Sequence, residues 1–295
     1  MDPMSIHEQL RRDLLDRQRD EITEYYIYNA LADMLDDPKN AELLREIAEA
    51  EMRHYQEWRM YTGQEVPPSR FKIWLYLLLA RIFGLVFTLR LMERGERRAQ
   101  AAYERILRYI PQAETILREE EEHEERLLGL LQEERLAYIS SIVLGLNDAL
   151  VELMGALAGL TLALQNGPLI ALSGMITGTA AALSMAASEY LSTKAEGGEK
   201  HPVRAATYTG ITYFGAVIAL ILPYLFLDNY YLSLATSLLI AVLLIAAFTF
   251  YTAVVKETSF WRNFLEMTLI TFGVAAFSFA LGYALRLIFG VDIDV

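Results

Sequence analysis

Glu119-Glu120-Glu121-Glu122-His123, read together with Glu51-Met52-Arg53-His54, decides the fold of the first half of this chain. In each stretch a glutamate precedes a histidine by three positions, Glu51 before His54 and Glu120 before His123. On a helix that spacing sets carboxylate and imidazole on one face, one turn apart, where both can grip the same cation. The chain has only four histidines, His7, His54, His123 and His201, and two of them sit in this pattern. An acid-rich chain produces one such pair easily by chance. Two pairs, each on a helix whose other inward positions are apolar, are the signature of a carboxylate-bridged di-metal site in a four-helix bundle. His7 and His201 have no comparable partners and read as structural.

Around these pairs the apolar periodicity predicts four helices. Ser5 with Glu8 forms a capping box that opens a helix over about 6–35, ended by Asp36-Asp37-Pro38, with Leu10, Leu14, Glu21, Tyr28 and Leu35 on its inward stripe. A second helix, about 41–61, faces Leu44, Ile47, Glu51, His54, Trp58 and Tyr61 inward and stops at Thr62-Gly63. A long third helix is expected over 70–109, and Pro111 starts the fourth, on which Ile116, Glu120, His123, Leu127 and Leu130 share a face. An apolar core would not place acids in the middle of such stripes.

An internal echo selects the ligands. Glu21 precedes Tyr28 by seven residues and Glu96 precedes Tyr103 by seven, and each pair is followed by a helix carrying the glutamate–histidine motif. In that register Glu21, Glu51, Glu96 and Glu120 are equivalent carboxylates, with His54 and His123 as nitrogen ligands. Glu93 is a candidate extra ligand and Glu24 a weaker one. Tyr28 and Tyr103 are placed to hydrogen-bond ligand carboxylates, while Glu119, Glu121, Glu122 and Glu124 read as solvated acids. Four facing carboxylates repel one another unless a cation lies between them. Mixed oxygen and imidazole ligation suits iron or manganese.

Charge divides the chain in two. Residues 1–136 hold 28 acids and 20 bases, whereas residues 137–295 hold 10 acids and 6 bases. The acid excess argues against nucleic acid and is compatible with cations. No cysteine occurs, which excludes thiolate ligands and iron–sulfur clusters. The opening Met-Asp-Pro followed by charged helix predicts no secretory signal peptide.

The second half carries five apolar spans of membrane length, about 137–164, 169–190, 205–227, 230–255 and 264–287. Lys194, Lys200, Arg204, Lys256 and Arg262 lie in the loops on one side, so that side and the first domain are expected in the cytoplasm, with the C-terminus outside. Residues 73–89 are also apolar, but Arg81 interrupts them, and a span there would put Glu93, Glu96 and the fourth helix across the membrane from Glu21 and Glu51. That segment is expected on the membrane surface or in a dimer interface.

Ionisable residues inside spans are costly and functional by default. Asp148 and Glu152 lie one turn apart in the first span, with Gly155 and Gly159 following on the same stripe against a close-packed neighbour. In the second span Gly174 and Gly178 continue down a face to Met185 and Glu189. Carboxylates with a thioether where two helices meet can take a partly dehydrated Fe²⁺ and release it; for Met185, ordinary packing is the competing reading. Pro223 is expected to kink the third span.

The pattern Glu21…Tyr28, Glu51-x-x-His54, Glu93-x-x-Glu96, Glu120-x-x-His123 resembles the ferritin-like, rubrerythrin-type domain over residues 1–135. That resemblance implies ferrous-iron binding and oxidation with dioxygen or peroxide at a di-iron site, although the Cys-based rubredoxin centre of rubrerythrins proper is missing. Gly145-Leu146-Asn147-Asp148-Ala149-Leu150-Val151-Glu152 and Ser184-Met185-Ala186-Ala187-Ser188-Glu189-Tyr190-Leu191-Ser192 resemble the vacuolar iron transporter family. The family's pore Asp and Met correspond to Asp148 and Met185. This second resemblance implies a five-span homodimer that moves Fe²⁺ and Mn²⁺ out of the cytosol, against protons. Eukaryotic members carry a cytoplasmic metal-binding insert between spans two and three; the loop 193–203 is too short for one, which hands that role to the N-terminal bundle. Together the halves look like the prokaryotic membrane-bound ferritin fusions.

The sequence therefore predicts an all-α chain, with a ferritin-like four-helix bundle over 1–135 followed by a five-helix transmembrane domain over 136–295. The expected function is export of iron or manganese across a prokaryotic plasma membrane. Two rival readings are a membrane-anchored ferroxidase or iron store, and a membrane di-iron oxidase acting on quinone or lipid.

Overall fold

Helix-forming runs broken by proline, glycine and short polar loops give a chain that is helical throughout its described residues, with no strand among them. The computed structural model describes residues 3–98, 106–111, 113–129, 134–197 and 200–289. These fall into two compact units, Met1–Glu133 and Glu134–Val295.

In the first unit α1 (Pro3–Ala32) packs along α2 (Pro38–Thr62) and against α3 (Arg70–Phe83), which is followed by α4 (Leu85–Arg98) and α5 (Ala113–Gly129). α1 starts and ends about three residues before its expected bounds. The reason at its far end is Asp37: its side chain accepts from the Lys39 N–H and caps α2, whose first residue is Pro38. α2 stops where expected, at Gly63, whose φ of 68° suits a residue without Cβ. Leu44, Ile47, Glu51, His54 and Trp58 are buried on α2 as the stripe requires, but Tyr61, in the last turn, is 45% exposed.

The loop after α2 is latched to α1. Buried Gln18 donates to the Gln64 carbonyl at 2.9 Å and accepts from the Thr62 hydroxyl at 2.7 Å. The Ser69 N–H donates to the Thr23 hydroxyl at 2.9 Å, and Lys72 pairs with Asp20 at 2.7 Å. These bonds set the start of α3 on α1. The expected helix over 70–109 is not continuous. Gly84, at φ 91° and ψ 168°, closes α3 with its N–H on the Ala80 carbonyl and α4 begins at the next residue. Ile27, Leu31, Leu44, Ile47, Ala80, Leu89 and Leu127 form the core between these helices, and Leu14, Trp58, Ile106 and Ile116 form a second cluster.

The second unit contains five helices long and apolar enough to cross a membrane: Tyr138–Leu164, Gly167–Glu196, Pro202–Phe226, Tyr230–Val255 and Phe260–Ile288. The first is composite: α6 (Glu134–Asp148) passes through a π turn, Ala149–Leu153, into α7 (Met154–Leu164). Then come α8 (Gly167–Glu196), α9 (Pro202–Phe226), α10 (Tyr230–Val255) and α11 (Phe260–Phe289). α9 runs through Pro223 to Phe226.

Small residues bring these helices close, as they must where lipid removes the hydrophobic drive between helices. A Cβ on Gly145 would lie 2.5 Å from the Thr209 carbonyl oxygen of α9, and one on Gly178 would lie 2.7 Å from Val217 Cγ1. Gly155 and Gly159 meet Val274 and Ser278 of α11, and Gly282 rests on the backbone of Gly159. Interhelical hydrogen bonds supplement this packing: Thr161 with the Tyr224 hydroxyl at 2.7 Å, Ser237 to the Leu220 carbonyl at 2.7 Å, Thr209 to the Ser141 carbonyl at 3.0 Å.

Candidate metal centre

α1, α2 and α5 each deliver acid or imidazole to one buried place. Ligand atoms of Glu21, Glu51, His54 and Glu120 all lie within 4.8 Å of one another. His54 Nδ1 is 2.9 Å from Glu120 Oε1, 3.5 Å from Glu51 Oε2 and 3.9 Å from Glu21 Oε2. His123 Nδ1 is 3.4 Å from Glu51 Oε1 and 3.9 Å from Glu120 Oε2. Glu51 and Glu120 therefore each present one oxygen to one imidazole and the other oxygen to the second. The two rings are 5.9 Å apart, centroid to centroid.

The fit to a cation rests on atoms that crowd together without directed hydrogen bonds. Glu51 Oε2, Glu120 Oε1, His54 Nδ1 and His123 Nδ1 are buried and make no hydrogen bond. A group of that kind costs about 1–3 kcal/mol when unsatisfied, more when charged, so four pointing together are expensive unless something binds them. His54 also meets Glu119, whose Oε2 is 3.0 Å from Nε2. Once His54 gives up its second proton to a cation, the proton left on Nε2 would be held by Glu119 and the Nδ1 lone pair would face the carboxylates, the arrangement of an oriented metal ligand.

Electrostatics report the same crowding. Burial, together with the nearby charges of Glu120 and Glu51, pushes the Glu21 carboxyl well up. Burial and the Glu51 charge also raise Glu120. For Glu51, burial acts upward, but its close contacts with the imidazoles of His123 and His54 outweigh it and bring the group down to about 2. For His54, burial acts downward, and contacts with Glu120 and Glu51 reverse this and lift it to about 12. Trp58 supports Glu21 from outside, its indole N–H donating to Oε1 at 3.0 Å in a fully buried bond.

Of the predicted ligands, the structure thus gathers Glu21, Glu51, His54, Glu120 and, alongside, His123. Glu93 is buried on α4, with Arg90 Nη1 3.6 Å from its Oε2, and is not among the four that converge. Glu24 is half-buried and outside the four as well. Tyr28 is buried. The side chain of Glu96 and the whole of Tyr103 lie outside the described residues. Glu119, read as solvated, is the residue sequence reasoning missed. Its signal was that position 119, next to Glu120, also borders the ligand face.

In the second unit the candidate residues fall in two places. Ser141 on α6 donates to Glu189 Oε1 on α8 at 2.5 Å, joining the first two spans at that level. Tyr213 on α9 donates to Glu152 Oε2 at 3.1 Å, with Asp148 in electrostatic reach of both. Met185 is partly buried against the shared apolar core. Glu152 does not share a face with Gly155 and Gly159 as expected: it turns to α9, and they turn to α11. The π turn that contains Glu152 is the reason, since its wider winding breaks the 3.6-residue register across it.

Residues 139–199 match the VIT family. The VIT-like stretch runs from the first span through the second and contains Asp148, Glu152, Met185 and Glu189. With the five apolar helices it supports an integral membrane protein, and it points to membrane transport of metal ions, iron or manganese. No curated protein matches the chain.

Proposed function

We propose that this protein exports divalent iron or manganese from the cytosol, with the N-terminal unit acting as a cytoplasmic ferritin-like bundle that captures, senses or oxidises iron. The observation that carries the reading is the pair of carboxylates, Glu51 and Glu120, each spanning both imidazoles, in a chain whose residues 139–199 match the VIT family.

Glu21, Glu51, Glu120, His54 and His123 would hold two metal ions, with Glu93 and Glu96 as further candidates. A di-iron pair bound there would supply oxidation of ferrous iron. The protein's own part is to exclude water by burial, to keep Glu51 ionised, to orient His54 through Glu119 and to fix Glu21 through Trp58. In the membrane unit, Glu189 and Met185 on α8 and Asp148 and Glu152 on the first span form the route. Carboxylates there exchange a proton for the cation, which gives coupling to protons. The basic loops support a topology with the N-terminal unit in the cytoplasm, and the likeness to prokaryotic membrane-bound ferritin fusions supports a prokaryotic plasma membrane and a homodimer as the transporting species.

Asp148→Asn tests the transport reading because it removes charge while keeping size and hydrogen bonding. In proteoliposomes it should abolish Fe²⁺ flux while the protein still folds and binds metal in its N-terminal unit. Normal flux would refute the route. A second reading, a membrane-anchored ferroxidase or store, is favoured by one fact: the converging ligands all lie within Met1–Glu133 and require no span. It predicts ferrous oxidation or iron retention with no flux in wild-type proteoliposomes.

A further inference from the structure

α3 carries two apolar stripes, and its packing uses one of them. Ile73, Tyr76, Leu77 and Ala80 enter the core of the first unit. The other stripe runs Phe71, Trp74, Leu78, Ile82, spaced as one helix face. It points away from that core: Phe71 is 68% exposed, Trp74 59% and Ile82 60%. Single exposed apolar side chains are ordinary, but a continuous stripe with two aromatic rings needs a cover. Arg70, Lys72 and Arg81 flank it, all exposed, and residues 70–83 contain no acid, although residues 1–136 as a whole carry 28 acids against 20 bases.

We propose that the outward face of α3 is a lipid-docking surface, which lays Phe71, Trp74 and Ile82 into the headgroup region of a bilayer and sets Arg70 and Arg81 on anionic headgroups. Trp and Phe beside snorkelling bases are the side chains that settle at that depth. The basic face in an acidic unit has its charge complement in anionic lipid. The chain's five apolar spans also tie this unit to a bilayer, so the surface it would dock on is always within a tether's reach. A second copy is a poorer cover. Two-fold packing of α3 on itself would face Arg70 and Arg81 with the same residues, with no acid on the helix to offset them. The proposal rests on the second unit lying in a membrane.

The absence of cysteine makes the test direct, because any introduced cysteine is the one labelling site. Full-length Phe71→Cys, Trp74→Cys and Ile82→Cys proteins carry a nitroxide in nanodiscs containing anionic lipid. Met60→Cys on α2, 76% exposed, and Leu239→Cys on α10, 59% exposed, serve as references. Collision with oxygen, which concentrates in lipid, is compared with collision with a water-soluble nickel chelate. The three α3 labels should favour oxygen several-fold over Met60→Cys, and the preference should fall when anionic lipid is replaced by zwitterionic lipid. Chelate access equal to that of Met60→Cys overturns the proposal, as does shielding from both reagents, which would mark a protein cover. A preference unchanged by lipid charge overturns the headgroup role of the arginines. Loss of oxygen preference at Leu239→Cys would instead refute the membrane reading itself.

Discussion

Glu51 and Glu120 are the residues on which the centre turns, because each reaches both imidazoles. Replacing Glu51 and His54 together by alanine should remove bound iron, and so should the Glu120→Ala, His123→Ala pair. Wild-type metal content by elemental analysis in both double variants would refute the assignment. Glu119→Ala should behave differently: stoichiometry stays and affinity falls about 10-fold, since what is lost is the acceptor that orients His54. Trp58→Phe deletes the donor to Glu21 and leaves a buried acceptor exposed to no partner, so stability in chemical denaturation should drop by about 1–3 kcal/mol. Protonation gives a further prediction with a definite sign. His54, held up at about 12, carries a proton at neutral pH, and Glu21 and Glu120, raised by burial, hold theirs to higher pH than ordinary carboxyls. Each must lose it to ligate a cation, so the free centre binds more protons than the loaded one. Metal affinity should rise with pH, and calorimetry in buffers of different ionisation enthalpy should register proton release.

At the scale of helices, glycine contacts set the membrane unit. Gly145→Ala and Gly282→Ala each push a methyl into a neighbouring backbone that cannot swing aside, and should cost about 1–3 kcal/mol each. Gly215→Ala and Gly273→Ala meet open space and should cost nothing when all four variants are compared by thermal unfolding. The helices themselves were legible in the sequence: periodicity placed α2 and α5 and the faces on which their glutamates and histidines converge, and span length placed the five helices long and apolar enough to cross a membrane. The break at Gly84 was not, because apolar residues continue on both sides and a lone glycine is tolerated within a helix. The π turn was invisible for a related reason. Its residues, Ala-Leu-Val-Glu-Leu, are ordinary helix formers, so no local signal marks the wider turn. Glu119 was missed because neighbours of a ligand on a helix usually face solvent.

For the whole molecule, joining a candidate metal centre to a membrane unit gives shared location, and coupling between the two is a separate matter. If the N-terminal unit feeds the route, a protein lacking residues 1–130 should insert in the membrane and transport metal more slowly or without regulation, as proteoliposome uptake would show. Unchanged flux would make the two units independent. The π turn carries one more consequence. Five residues there occupy the place of fewer in an α-helix, so the first span holds one position of slack in mid-course. Shortening Ala149–Leu153 by a single residue would not break the helix; it would tighten it. Gly155 and Gly159 would still meet α11, whereas the same deletion a turn away, where the helix has no slack, would turn everything beyond it by about 100° and set larger side chains against α11. In this span the count of residues, as much as their kind, decides which neighbour each half can meet.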